Sequence, residues 1–503
     1  MSNSVQEANR LGQSIWYDNI RRGLIKSGEL QQLIDSGVTG LTSNPTIFEK
    51  AIAGSTDYDG ALLEQSQHGL STQELFEALA IEDIQATADL LKPIYDRTGG
   101  MDGYASLEVS PDLAHDTEGT VAEANRLFAA LDRPNVMVKV PATPAGISAI
   151  RRLIGQGVNV NVTLIFSLDT YDQVKEAYIG GLEELARSGG DVGKVASVAS
   201  FFVSRVDTAV DNLLEEGIRD GREELKSLLG KAAIANAKLA YQAFKGTFND
   251  KRFAALREKG AMVQRPLWAS TGTKNPAYSD VLYLESLIGP DTVNTVPPAT
   301  LTAFLDHGRA SVTLEQDVEQ AGPVIDALAA AGVSMEQVTG KLLAEGLEAF
   351  ADSFQKLLSN IEDKKARLLA REHEHPGVSL GSYLPNVEAA LADLQARDVM
   401  GRIWRGDHTV WKPDPTEITD RLDWLTVSDI MCEQVTALQT FAEEVRDAGF
   451  RHLVLLGMGG SSLGPEAILN CMLATCQPFR QVRRSICSSS PPFQMITNRH
   501  PHP

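Results

Sequence analysis

Cysteine is absent from the first 431 residues of this 503-residue chain; Cys432, Cys471, Cys476 and Cys487 are the whole complement. A disulfide framework is thereby excluded, and a reducing cytoplasm fits. Positive charge is also short: 46 Lys and Arg stand against 66 Asp and Glu, a formal net charge of −20. Such a body repels nucleic acid and anionic membranes, so neither is expected as a partner. Any phosphate site must be a local basic cluster. Missing too is a run of about 18 apolar residues, the length that marks a membrane helix. Met1 to Gln13 is polar, without the apolar stretch of a secretion signal. Metal-ligand spacing is confined to Glu372-His373-Glu374-His375. No further ligand cluster lies near it, so a solvated linker is expected there and no metal site.

What the chain has is alternation. A length of 503 residues implies two or three domains. Over the first 300, short β-branched runs alternate with helical patterns such as Leu30–Ser36, Gln73–Leu91 and Thr117–Leu131. The strands read as Ser14–Asp18, Gly40–Thr42, Ala105–Val109, Val136–Val140, Val158–Leu164, Lys194–Ser200, Gln264–Ser270 and Thr292–Val296. Strands separated by helices imply a parallel sheet, and eight such units predict a closed (β/α)8 TIM barrel. A doubly wound open sheet fits the alternation too, but gives no reason to stop at eight. Leu343, Leu347, Phe350, Phe354, Leu357, Ile361 and Leu368 then follow at helical spacing and predict one long amphipathic helix.

In such a barrel, reactive side chains project from the C-terminal ends of the strands. Reading those ends gives Asp18, Thr42 and Asn44, Glu108, Lys139, Asn161 and Thr163, Ser200, and Ser270. Lys139 closes the apolar run Val136-Met137-Val138. Burial disfavours the charge of an amine, and a lysine held out of water is suited to attack a carbonyl. Singly, each residue has a duller explanation: a strand-end lysine reaching solvent, an N-cap, a turn, a surface charge, a helix start. Together they put one amine, two carboxylates and several hydroxyls and amides on one face.

Four segments carry a family resemblance: Leu41 to Phe48 (LTSNPTIF), the strand of Lys139, Asn159 to Ser167 (NVNVTLIFS) and Ser200 to Asp207 (SFFVSRVD). Together they resemble the transaldolases, above all the longer bacterial form, over about residues 10 to 365. The resemblance implies that Lys139 forms a Schiff base with the carbonyl of a ketose phosphate. It implies Asp18 as the base on the C4 hydroxyl, with Glu108 and Thr163 handling water and protons. Thr42, Asn44, Asn161 and Ser200 would orient the dihydroxyacetone unit. Arg205, Ser270 and Lys274 would hold the phosphate, although many transaldolases carry arginine where Lys274 stands. A lysine gives a point charge rather than a bidentate fork. Phe202 stands where the related fructose-6-phosphate aldolases carry tyrosine, which favours transfer over release. The partners implied are small sugar phosphates, sedoheptulose 7-phosphate and fructose 6-phosphate as donors, erythrose 4-phosphate and glyceraldehyde 3-phosphate as acceptors. No cofactor is implied, because an iminium is itself the electron sink. A class I aldolase and a sugar-phosphate-binding protein without catalysis stay open beside this.

Beyond about residue 375 the pattern changes. Helical segments around Val387–Arg402 and Val435–Ala448 precede a strand, His452–Leu456, and the loop Gly457-Met458-Gly459-Gly460-Ser461-Ser462. Backbone amides of Gly459 and Gly460 with the hydroxyls of Ser461 and Ser462 suit a phosphate. Leu456 to Glu466, with Arg402 to Trp411 upstream, resembles the N-terminal part of glucose-6-phosphate isomerase. That family takes its proton-transfer residues from chain further on, so an isomerase-like fragment without isomerase activity is expected. Residues 467–503 lack Asp and Glu and carry Arg480, Arg483, Arg484 and Arg499. An aberrant, frame-shifted tail is the expectation there. The organisation predicted is a barrel over 1–370, a linker over 371–381, a partial α/β isomerase-like region over 382–468 and the tail over 469–503.

Overall fold

The computed structural model describes residues 3–66, 69–373 and 384–449. Eight parallel strands close into a barrel in sequence order: β1 Gln13–Asp18, β2 Gly40–Thr42, β3 Ala105–Glu108, β4 Val136–Pro141, β5 Val160–Ile165, β6 Ser197–Phe202, β7 Arg265–Ala269 and β8 Thr292–Val296. β1 pairs with both β2 and β8, which closes the ring. All eight predicted strands are present. The largest shift is in β6, expected over Lys194–Ser200. There Asp191 Oδ1 accepts from the Gly193 amide at 3.0 Å and turns Val192–Lys194 into a 3-10 segment. The strand therefore starts later and runs on through Phe201 and Phe202, which pair with Trp268 and Ala269 of β7.

The barrel is filled in layers. At its N-terminal floor Trp16 lies wholly buried against Gly40, where an added Cβ would stand 2.5 Å from the indole. The Trp16 Nε1–H donates to Asp102 Oδ1 at 2.7 Å, and Arg265 Nη1 donates to Ser14 Oγ at 2.7 Å. Higher up, Ser200 Oγ donates to Asn161 Oδ1 at 2.7 Å, and Asn161 Nδ2 donates to Ser106 Oγ at 3.1 Å. Outside the strands, Phe201, Trp268 and Tyr171 pack edge to face against the helical ring.

The helix expected from residue 343 onward spans Met335–His373. It is tied to the short helix Pro45–Ala53 and the turn after it. Thr46 Oγ1 donates to Ser353 Oγ at 2.9 Å, Asn360 Nδ2 to Glu49 Oε1 at 2.7 Å, and Lys364 Nζ to the Ile52 carbonyl at 2.8 Å. Its apolar face carries Phe350, Phe354, Leu357 and Ile361, all buried.

By contacts the chain divides into two compact units, Met1–Gly377 and Val378–Pro503. The described part of the second unit is helical. The single helix expected over Val387–Arg402 is two, Leu384–Ala396 and Val399–Trp404, because Asp398 takes a left-handed conformation with φ 48°. A further helix spans Val435–Asp447. The expected strand His452–Leu456, the loop with Gly459, Gly460, Ser461 and Ser462, and the basic tail lie outside the described residues. Among the described residues no helix is long and apolar enough to cross a membrane.

Candidate active site

Strand register does most of the assembly. Glu108 of β3, Lys139 of β4 and Asn161 of β5 are successive partners across the sheet, and Asp18 of β1 partners Thr42 of β2. Side chains two apart on a strand share a face, so Thr163 follows Asn161 and Glu108 follows Ser106 toward the C-terminal mouth. The Lys139 side chain is 7% exposed and its Nζ lies 3.5 Å from Glu108 Oε2, itself on a side chain 6% exposed. Nζ also donates to the Ser43 carbonyl at 3.2 Å, and it sits 5.8 Å from the centre of the Phe350 ring. The long helix thus lays an aromatic face over the amine. The strand-end lysine is a buried group here, not one reaching into solvent.

Both carboxyls are held above the usual carboxylate range, chiefly by burial. Asp18 is drawn part of the way back by the Lys139 charge, by a hydrogen bond from Thr42 and by the Lys274 charge. For Glu108 the opposing influences are the charge and hydrogen bond of Lys139, while Asp18 pushes it further up. An amine flanked by two carboxyls that resist ionisation is the arrangement general acid–base chemistry needs at neutral pH. Thr42 Oγ1 donates to Asp18 Oδ1 at 2.7 Å.

Thr163 stands apart from this network. Its Oγ1 is buried and has no hydrogen-bond partner among the described residues. Just beyond it the β5–β6 register shifts, and Leu164 adopts φ +59°, a left-handed conformation costly for a branched side chain. The Leu164 side chain turns toward Gly346 of the long helix, where an added Cβ would lie 3.1 Å from it.

A second cluster gathers where β6 and β7 end. Phe202 is buried against Phe166, with ring centres 5.1 Å apart, and the Arg205 guanidinium lies 5.5 Å from the Phe202 ring centre. Asp207, two residues on, is engaged elsewhere: it accepts from the Tyr283 hydroxyl at 2.9 Å and the Ala233 amide at 2.7 Å. Arg205 makes no hydrogen bond or ion pair among the described residues; burial lowers its pKa, against the raising influence of the Glu345 charge. Ser270 follows β7 with φ +55°, and its Oγ is 3.0 Å from Ser204 Oγ at the first turn of the helix Ser204–Arg219. No side chain caps that helix, so a half-buried guanidinium, an uncapped N-terminus and two hydroxyls meet where an anion would be favoured. Lys274 is exposed on the following loop, makes no ion pair among the described residues, and adds its charge from there.

Asn44 has one half of its amide committed: Oδ1 accepts from the Ile47 amide at 3.0 Å and caps the helix Pro45–Ala53. Three groups escaped sequence reading. Ser106 was legible, two residues before Glu108 on the same strand face. Thr295, near the end of β8, lies 2.5 Å (Oγ1 to Oγ1) from Thr42, and only the omission of the eighth strand end concealed it. Phe350 fell inside an apolar stripe that reads as ordinary helix packing.

Residues 15–361 match the family model described as Transaldolase/Fructose-6-phosphate aldolase. The chain belongs to that family. A transaldolase of Trichodesmium erythraeum (strain IMS101) is 46% identical over 376 residues, covering 73% of this chain and 99% of that protein. One from Thiobacillus denitrificans (strain ATCC 25259 / T1) is 48% identical over 360 residues, covering 71% and 99%. A protein named Transaldolase 2, from Streptomyces coelicolor (strain ATCC BAA-471 / A3(2) / M145), is 45% identical over 370 residues.

Proposed function

We propose that this chain is a transaldolase that moves a dihydroxyacetone unit between sugar phosphates through a Schiff base on Lys139. The observation that carries the reading is the Lys139 amine, almost wholly buried at a barrel mouth and 3.5 Å from the Glu108 carboxyl. Lys139 Nζ adds to C2 of sedoheptulose 7-phosphate or fructose 6-phosphate, and the carbinolamine loses water to give an iminium. Glu108 and Thr163 serve that proton and water traffic. Asp18 takes the C4 hydroxyl proton, the C3–C4 bond breaks, and its electrons move into the iminium as an enamine. An aldose phosphate leaves. The enamine carbon then attacks the aldehyde of erythrose 4-phosphate or glyceraldehyde 3-phosphate, Asp18 returns its proton to the new alkoxide, and water frees Lys139. Thr42, Asn44, Asn161 and Ser200 orient the three-carbon unit, Phe202 lines it, and Arg205, Ser270 and Lys274 hold the phosphate.

Borohydride reduction with fructose 6-phosphate, followed by peptide mapping, tests this. A mass increment on Lys139 with turnover that requires an acceptor aldehyde supports it. Acceptor-independent release of dihydroxyacetone would point to an aldolase, and absence of any adduct to a binding protein without catalysis. Residues 382–468 are read as an isomerase-like fragment on the strength of the glycine-rich motif and its upstream segment. The chain is expected to show no conversion of glucose 6-phosphate to fructose 6-phosphate, and measurable conversion would refute that part.

A further inference from the structure

We propose that Thr295 is a positioning residue for Asp18, the outer end of a two-hydroxyl chain through Thr42 whose direction reverses as Asp18 gains and loses its proton. The inference rests on the reading of Asp18 as the base. The geometry is compact: Thr295 Oγ1 lies 2.5 Å from Thr42 Oγ1, and Thr42 Oγ1 lies 2.7 Å from Asp18 Oδ1. Both threonines are buried, and β8 pairs Thr295 with Trp16 of β1, which fixes its height in the barrel. Its carbonyl accepts from Thr271 Oγ1 at 3.2 Å, so the end of the strand is tied down.

A hydroxyl has one proton to give and two lone pairs to receive with. An ionised Asp18 only accepts, so Thr42 must donate to it, and Thr42 in turn accepts from Thr295. A protonated Asp18 donates to Thr42, and the Thr42 proton then turns to the Thr295 oxygen. With Asp18 ionised both hydroxyl protons have an acceptor; with Asp18 protonated the Thr295 proton has none within the chain, so the chain favours the ionised carboxylate without a heavy atom moving. Without the Thr295 hydroxyl, Thr42 still donates to the carboxylate but loses the donor that polarises it, so the ionised form is the one disfavoured. Two charged groups act on Asp18 besides this chain, Lys139 and Lys274, which favour its ionised form, while Asp18 in turn pushes the Glu108 carboxyl up. None of them acts through Thr295, so a variant there isolates the hydroxyl pathway.

The test is the pH profile of kcat/KM for acceptor-dependent transfer from fructose 6-phosphate in Thr295→Val, Thr295→Ser and Asp18→Asn. Thr295→Val keeps the shape and removes the hydroxyl. It is expected to lower kcat about tenfold with little change in KM, and to raise the acid limb by about half a pH unit. Thr295→Ser restores both, and borohydride trapping on Lys139 stays undiminished in both variants. An unmoved acid limb in Thr295→Val, or a serine variant as impaired as valine, would overturn the proposal, since either result leaves only a packing role. Asp18→Asn separates the two levels. If it turns over like the unmodified chain, the base assignment itself fails. If it is inactive while the Thr295→Val profile is unchanged, only the hydroxyl chain fails.

Discussion

Thr163→Val is expected to make the protein more stable and the enzyme worse. The Thr163 side chain is buried and its Oγ1 has no hydrogen-bond partner. Leaving a buried hydroxyl unpaired costs about 1–3 kcal/mol, and valine has the same shape without the polar atom. A gain of about 1 kcal/mol in unfolding free energy follows, which in a domain of this size raises Tm by roughly 1–3 °C. Loss of the hydroxyl proposed to handle protons should lower kcat by about 10²-fold, within the usual range for such groups. Thr42→Val is the control, because it makes the same chemical change at a hydroxyl bonded to both Asp18 and Thr295. Removing it strands two buried partners, and stability should fall by about 1–2 kcal/mol. Urea melts of both variants beside acceptor-dependent turnover make the comparison. Equal destabilisation by the two substitutions, or an unchanged kcat in Thr163→Val, would refute the reasoning.

Burial pushes the Asp207 carboxyl up to about 6, against about 3.9 unfolded. The native state therefore binds the proton more tightly, so this contribution is complete below about pH 4 and is lost as pH rises through 6, by ~3 kcal/mol at most. Asp207→Asn can keep the Tyr283 and Ala233 partners and should flatten that part of the stability profile; melts at pH 4 and pH 7 with an unchanged slope would contradict it. Lys274→Arg should lower KM for phosphorylated donors a few-fold without changing kcat, because a fork replaces a point charge, and steady-state kinetics decides the matter. Phe202→Tyr should raise dihydroxyacetone release in the absence of an acceptor, read by a coupled assay; no rise would count against a role for this ring in favouring transfer.

The barrel was legible because its strands are β-branched runs separated by helical periodicity, and register then delivered Glu108, Lys139 and Asn161 as neighbours without further information. β6 was misjudged at its start because a local Asp191 turn, not hydropathy, sets where pairing begins. Phe350 was hidden for a different reason. Its stripe is that of any amphipathic helix, and only the tie between the helix Met335–His373 and Pro45–Ala53 brings that ring over Lys139. The left-handed Leu164 and Ser270 left no sequence signal either, since neither is a glycine or asparagine. Asn44 was assigned to the substrate, and the structure gives it a helix to cap as well. Both uses suit an amide with one oxygen committed and its NH2 remaining.

The polar side chains inside the barrel change in kind from its floor to its mouth, and that change argues for where reaction occurs more strongly than any single residue. At the floor Trp16, Ser14 and Arg265 all spend their donors on one another or on Asp102. In the middle layer Ser200, Asn161 and Ser106 form an unbroken line. At the mouth, among the described residues, Thr163 Oγ1 has no hydrogen-bond partner and Arg205 has an aromatic face but no ion-pair partner, and Asp18 and Glu108 are held toward their protonated forms by burial. Unpartnered buried oxygens occur at the N-terminal end as well, at Gln13, Asn135 and Gln264, so what marks the mouth is the kind of group gathered there: an amine, two carboxyls and a guanidinium. The same eight strands carry both ends, so the difference lies in what the C-terminal ends are kept free to bind. A sugar phosphate supplies what is lacking there: a carbonyl for the amine, hydroxyls for the amides and threonines, and an anion for the guanidinium.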